Sequence, residues 1–426
     1  MRLLKKIRKD VLAWSMYDFA NQPFTTLIIT FIYSTFFAAY IAEDSISGTV
    51  YWSRAATISA ITVAIISPIM GAMADNGGYR KLFLIISTWI CILGTIMLYF
   101  PIKGDVLFAL SFFVIANIGF EMGCVFCNSY LPDLSNNNNI GKISGYGWSA
   151  GFLGGLIALF IAYFLFVEPE TPFFGVSKEE GQNIRAVNLM IALWFAIFSL
   201  PTFFVLKGRI KKNASFKNSF NASFKQIRNT FNEVRNYKEI VKFLLARLVY
   251  NDALITVIMF GGIFAEAELG FSFEEIFILG IVLNLLAGIG SFSLGFLEDI
   301  IGSKKSILLS LIGLMAACIL VGISSNKDVF WIAAILIGLF LGTNQSASRS
   351  LMARFTPANK KNEFFGFFAF SGKATAFVGP LLFGIVTQIF QTQRAGIILV
   401  LGLFLIGFIL LLFVDEEKGK KYGSLN

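Results

Sequence analysis

The chain of 426 residues contains no histidine. That absence removes H-E-x-x-H zinc sites, the Ser-His-Asp triad and histidine as a proton carrier. Any proton-coupled step must use carboxylates, lysine or tyrosine. Charge is scarce as well: 14% of residues are Asp, Glu, Lys or Arg, against about 25% in a soluble protein. Cysteine occurs four times, at 91, 124, 127 and 318. Cys124-x-x-Cys127 has the spacing of a redox or metal pair, but no second C-x-x-C and no histidine completes a ligand set, and its surroundings are strongly apolar. It reads as helix packing, where free cysteine behaves as a small hydrophobe. There is no G-x-x-x-x-G-K-[ST] loop and no G-x-S-x-G elbow. No metal, no cofactor and no enzyme activity are expected.

What the chain has is apolar surface: 56% hydrophobic residues, 48 Phe and a mean hydropathy of +0.73. Apolar stretches long enough to cross a bilayer core of about 30 Å recur throughout. They give twelve expected spans, at 17–41, 53–73, 82–101, 105–127, 145–167, 187–206, 241–265, 274–296, 306–324, 329–349, 366–389 and 395–414. The start MRLLKKIRKD is basic, but a long apolar stretch without a small-residue cleavage site follows it, so it does not read as a cleavable signal. With the N-terminus inside, 27 of the 35 Lys and Arg residues fall on the inner side. Arg54, Lys103, Lys178, Arg185, Lys327 and Arg394 fall outside, and Arg247 and Lys373 lie within spans. The positive-inside rule then puts both termini in the cytoplasm. The net charge of +9 is therefore a topology signal with affinity for anionic lipid, not a nucleic-acid footprint. The halves 1–206 and 241–414 flank a basic central loop at 207–240, and 415–426 form a tail. The second half of the loop has Phe at helix-like spacing and reads equally as an interfacial helix or a tether.

The two halves repeat. Residues 71–81, GAMADNGGYRK, match 295–305, GFLEDIIGSKK: Gly71 with Gly295, Asp75 with Asp299, Gly78 with Gly302, and Arg80-Lys81 with Lys304-Lys305. Each copy follows the second span of its half, which makes the chain two six-helix halves. A tight turn needs glycine, and a carboxylate is favourable near a helix N-terminus. A pair of well-capped turns and a conformational latch are both consistent with this. The pattern G-x-x-x-D-x-x-G-x-[RK]-[RK] resembles the signature loop of the major facilitator superfamily. AWSMYDFANQPF, YLPDL with GKISGYGWSAGFLGG, ARLVYNDALITVIMFGGIFA, SRSLMARFTP and EFFGFFAFSGKATAFVGPLLFG are similar to its vacuole-effluxer-like branch. The resemblance implies an all-α polytopic membrane protein with twelve transmembrane helices in two pseudo-symmetric six-helix bundles. It also implies a cytoplasmic latch in which Asp75 works with Arg80 and Asp299 with Lys304, weakened in the first copy by Asn76.

Charge within the spans is the remaining signal. A charge near the bilayer centre costs at least about 2.5–3.5 kcal/mol, yet Asp18, Glu121, Arg247, Asp252, Arg349 and Lys373 fall inside spans, with Asn21, Asn117, Asn251, Asn284, Asn344 and Gln345. The N-terminal half supplies acids, and the C-terminal half supplies Arg247, Arg349 and Lys373 with one acid, Asp252. Opposite charges on two bundles can clamp their ends together or hold the two ends of a zwitterion. Tyr17-Asp18 in span 1 corresponds to Tyr250-Asn251-Asp252 in span 7. Asp18, Asn21 and Gln22 share a helix face. Asp18 reads equally as a headgroup-level residue or a gate, Arg349 as an interfacial anchor or part of the site, and Lys373 as a site residue or one that snorkels to the surface. Pro23 should loosen the helix around residue 19. Glycines 147, 151 and 155, and glycines 280 and 288 around Asn284, form packing stripes.

The expectation is a secondary transporter working by alternating access, coupled to protons through Asp252 or Glu121. It would act as a monomer in a bacterial plasma membrane on a small solute; the resemblance motivates an amino acid. A drug or organic-anion exporter of the same fold and a non-transporting sensor or scaffold are the alternatives.

Overall fold

The computed structural model describes residues 8–42, 44–208, 216–232, 234–323 and 326–423. Among them there is no strand, and twelve helices are long and apolar enough to cross a membrane. Spans 1 to 6 are Lys9–Ile41, Ser47–Gly77, Arg80–Met97, Val106–Leu134, Ile140–Val167 and Glu179–Val205. Spans 7 to 12 are Lys238–Leu269, Glu274–Ile301, Ser303–Ile323, Lys327–Phe355, Lys361–Phe390 and Gln393–Leu412. Two shorter helices join them: a linker helix Phe216–Asn232 and a tail helix Glu416–Gly423. Part of the central loop, 209–215 and 233, lies outside the described residues.

Several helices run past the expected spans because hydropathy reads only the apolar stretch. Span 1 begins at Lys9 rather than 17, which puts Asp18 well inside the helix instead of at its start. Span 10 continues six residues beyond Arg349, and Arg349 is buried. It is therefore not an interfacial anchor.

Two prolines shape the helices locally. Pro23 cannot donate to the carbonyl of Phe19. The Trp194 indole donates to that carbonyl instead, at 3.2 Å, and Phe24–Phe31 continues with the wider π-helical hydrogen bonding. Span 11 breaks: one helix runs Lys361–Lys373 and the next Val378–Phe390. Pro380 lacks the N–H that would reach Ala376, which accounts for the break.

The start of span 1, the linkers 2–3, 4–5, 8–9 and 10–11, the linker helix and the tail gather at one end of the molecule, here called the basic end. Arg8 reaches the Leu134 carbonyl, Lys242 the Phe413 carbonyl, and Tyr237 packs on Tyr422. The halves meet along two crossings, span 5 on span 8 and span 2 on the first part of span 11. Both use the repeated glycine. A Cβ on Gly71 would lie 2.3 Å from the Asn362 carbonyl oxygen, and one on Gly295 2.9 Å from that of Gly141. The small residues let backbones of opposite bundles touch. The outer part of span 11, by contrast, packs chiefly on spans 7 and 12 of its own half.

Candidate functional site

The repeated aspartates cap helices of the opposite half. Asp75 accepts from the backbone N–H of Asn362 (3.2 Å) and Glu363 (2.9 Å) and from the Asn362 side chain (2.6 Å). Asp299 accepts from the N–H of Gly141 (2.8 Å) and Lys142 (3.1 Å). In both cases the donors are the second and third residues of the helix, the groups an N-cap side chain normally satisfies. Neither span 11 nor span 5 has a side-chain cap of its own. The repeat therefore supplies two N-caps across the bundle interface, and Gly78 (φ 75°) and Gly302 (φ 93°) provide the left-handed turns that follow.

This corrects the expected partners. Arg80 does not serve Asp75 but lies on Asp133 at 2.7 Å, on the Ser129 carbonyl and over the Tyr130 ring. Asp133 also meets Lys361 of span 11. The basic group nearest Asp299 is Arg354 at 3.5 Å, whereas the Lys304 ammonium goes to the Leu412 carbonyl. Arg354 further donates to Ser303 and to the Asn137 carbonyl. Lys81 is half-buried and Lys305 exposed, in the first turns of spans 3 and 9. Asp133, Arg354, Asn362 and Glu363 thus belong to this end of the site without having been singled out in the sequence. Their roles depend on which helix ends meet, and no local pattern encodes that. A trans-cap is worth about 1 kcal/mol, so Asp75→Ala or Asp299→Ala should each raise amide exchange in the capped turn about fivefold. Unchanged exchange at 362–363 or 141–142 would refute the capping.

Deeper in the helices, the two acids of the first half meet two of the three bases of the second. Arg349 from span 10 is received almost wholly by the opposite half. Nη1 bonds Asp18 (2.7 Å) and Asn128 (3.0 Å), Nε bonds the Ser144 hydroxyl (3.0 Å) and Nη2 the Ser144 carbonyl (2.7 Å). Its guanidinium carbon lies 4.7 Å from the Trp14 ring centre and 5.5 Å from that of Trp148, a geometry for cation–π attraction. The glycine stripe of span 5 makes the space: a Cβ on Gly147 would sit 2.5 Å from Asp18 and 2.7 Å from Arg349. Lys373, at the end of the first segment of span 11, pairs with Glu121 of span 4 at 2.5 Å.

The other expected residues separate from these pairs. Arg247 makes its hydrogen bonds within its own half. It donates to the Phe368 carbonyl (2.7 Å) and the Ser371 hydroxyl (2.8 Å) and stacks on the Phe368 ring. Asn251 donates to the Gly372 carbonyl (3.1 Å). Together they bind the carbonyls just before the break in span 11. Asn344 is fully buried against Ser310 of span 9, and Asn21 approaches Cys124, each within its own half. Asp252 is 4% exposed and faces the break, beside Thr375. The Thr375 hydroxyl stands close enough to serve this carboxylate, although the two are not aligned as a well-formed hydrogen bond, and no cation pairs with Asp252 among the described residues.

Residues 38–424 match the family described as vacuole effluxer Atg22 like. The chain belongs to that family. Among its relatives, the uncharacterized MFS-type transporter YxiO of Bacillus subtilis is 28% identical over 97% of both chains. Autophagy-related protein 22 of the yeast Vanderwaltozyma polyspora is 22% identical, covering 100% of this chain and 94% of that one. Among solved structures, the human organic anion transporter MFSD10 superposes with a TM-score of 0.73 at 14% identity, over 95% of this chain and 99% of the other. The chain therefore has the major facilitator fold. It is a multi-pass membrane transporter and not an enzyme.

Proposed function

We propose that the protein moves an amino acid or similar small zwitterion by alternating access, coupled to protons, with its basic end in the cytoplasm of a bacterial cell. The observation that carries this is Asp252: a buried carboxylate in the first span of its half, facing a broken helix, with the neutral Thr375 hydroxyl beside it and no counter-charge among the described residues. A bare charge in such a place is costly, and a proton removes that cost. Loading and unloading that proton gives the two conformations a reason to alternate. The pairs Asp18–Arg349 and Glu121–Lys373 then form the gate. When the basic end opens, Lys373 and Glu121 part, and they become available to the carboxylate and ammonium of the solute.

The test is flux in proteoliposomes. Pooled labelled amino acids are supplied under inside-acid and inside-alkaline gradients, with wild type compared to Asp252→Asn. Gradient-dependent uptake that falls to the level of empty liposomes in the variant is expected. Folded wild-type protein that moves no amino acid under either gradient would overturn the substrate reading. Uptake in Asp252→Asn equal to wild type would overturn the role of the carboxylate.

A further inference from the structure

The linker helix Phe216–Asn232 carries Lys217, Lys225 and Arg228 and no acidic residue. Phe216, Phe220 and Phe224 recur every four residues and are exposed, whereas Ser219, Ser223 and Thr230 are buried. A helix with an apolar stripe and only positive charge fits an anionic membrane surface. It packs across span 2, and an apolar cavity opens on each side of that span, with Phe224 lining both. The smaller, about 330 Å³, lies among spans 2, 3 and 4. The larger, about 540 Å³, lies between the halves, bounded by Ile65 and Pro68 of span 2, Leu244 and Leu248 of span 7, and Phe367 and Phe370 of span 11.

The same helix is bonded to the capped turn of span 11. Gln226 donates to Glu363 at 2.5 Å, and Lys360 donates to the Thr230 hydroxyl at 3.1 Å. Tyr237, just after the helix, packs on Phe364 at 5.0 Å. The other oxygen of Glu363 has no partner among the described residues. Glu363 is also one of the two N–H donors to Asp75.

We propose that the larger cavity is the acyl-chain slot of an anionic phospholipid whose headgroup rests on Lys225 and Arg228, and that its binding holds the linker helix against span 11 and so favours the closed basic end. The walls come from both halves, so the slot keeps this shape only while spans 2 and 11 are crossed at Gly71 and Gly366. A ligand that binds one arrangement better shifts the population toward it. Gln226 carries the effect from the lipid to the turn that Asp75 caps.

The full chain is placed in nanodiscs of phosphatidylcholine, alone or mixed with phosphatidylglycerol. Each lipid is used in turn as the probe, with a photoactivatable diazirine midway along one chain. The phosphatidylglycerol probe is expected to label 240–248 and 364–370. Lys225→Gln and Arg228→Gln, both at exposed positions, should each reduce labelling about fivefold. Amide exchange at 362–365 should slow in the anionic mixture. Gln226→Ala should keep the label and lose the slowing. Equal labelling by phosphatidylcholine, or labelling indifferent to both charge variants, would overturn the site. Exchange at 362–365 that ignores lipid composition would overturn the link to closure. No readout needs a substrate or a flux, so the result is independent of the transport reading.

Discussion

Arg349→Ala should destabilise the closed basic end by about 3–5 kcal/mol, the usual cost of removing one partner from a buried ion pair. The substitution removes four hydrogen bonds into the opposite half and the packing between Trp14 and Trp148, and it leaves Asp18 without its counter-charge. The measurement is labelling of the buried Cys127 by a polar maleimide. Cys127 lies beneath this junction, and its carbonyl holds the Trp14 indole at 2.8 Å. Labelling should accelerate by more than about a hundredfold, which corresponds to about 3 kcal/mol. Asp18→Asn combined with Arg349→Ala should recover part of the loss, because the uncompensated carboxylate is gone. Arg349→Lys should behave nearly like the alanine variant, since one ammonium cannot reproduce a planar fork held between two rings. Unchanged Cys127 labelling in Arg349→Ala would show that the pair does not hold this end shut.

The second large effect is expected from a single methyl group. Gly71→Ala places a Cβ 2.3 Å from the Asn362 carbonyl oxygen, and Gly366→Ala places one 2.5 Å from that of Ser67. Both clashes are with backbone of the opposite half, so no side chain can swing aside. The crossing must separate, and with it the Asp75 cap and the hydrogen bond from Ser67 to the Gly366 carbonyl. Spin labels introduced by Leu82→Cys and Asn359→Cys in a background without the native cysteines should report a longer separation in either glycine variant. Gly384→Ala and Gly402→Ala are the controls. Nothing lies within 4 Å of their added carbon, and alanine favours a helix by about 1 kcal/mol over glycine. An unchanged label separation in Gly71→Ala would exclude this crossing as the surface that opens.

The sequence carried the architecture well because the bilayer imposes it: twelve apolar runs, a duplicated loop and a division into halves all follow from local composition. It also marked Asp75, Asp299 and the segregation of charge signs. It did not carry the partners. Asp75 could meet Arg80 five residues away or the start of a helix nearly three hundred residues later, and only the crossing of spans 2 and 11 decides between them. Arg247 shows the same limit. Its charge within a span suggests a role across the interface, yet a carbonyl and a hydroxyl of its own half take its hydrogen bonds. Pro380 was visible, but the resulting break matters only because Asp252 and Asn251 stand opposite it. The spacing of Gly147, Gly151 and Gly155 expresses a packing stripe; at Gly147 the room is taken by an ion pair.

The tail helix has a consequence of a different kind. Glu416 binds the backbone N–H groups of Ser303 and Lys304 at the start of span 9, and Gly419 lies against Phe355. Among the described residues these contacts fasten the tail to the second half, and Tyr422 adds a contact with Tyr237 at the end of the central loop, with Glu417 facing outward. A dye carried at Glu417 would turn with that half as a pointer turns with its dial. Energy transfer to a second dye near Lys9 would then follow the opening and closing of the two halves in real time, with no need to label the solute.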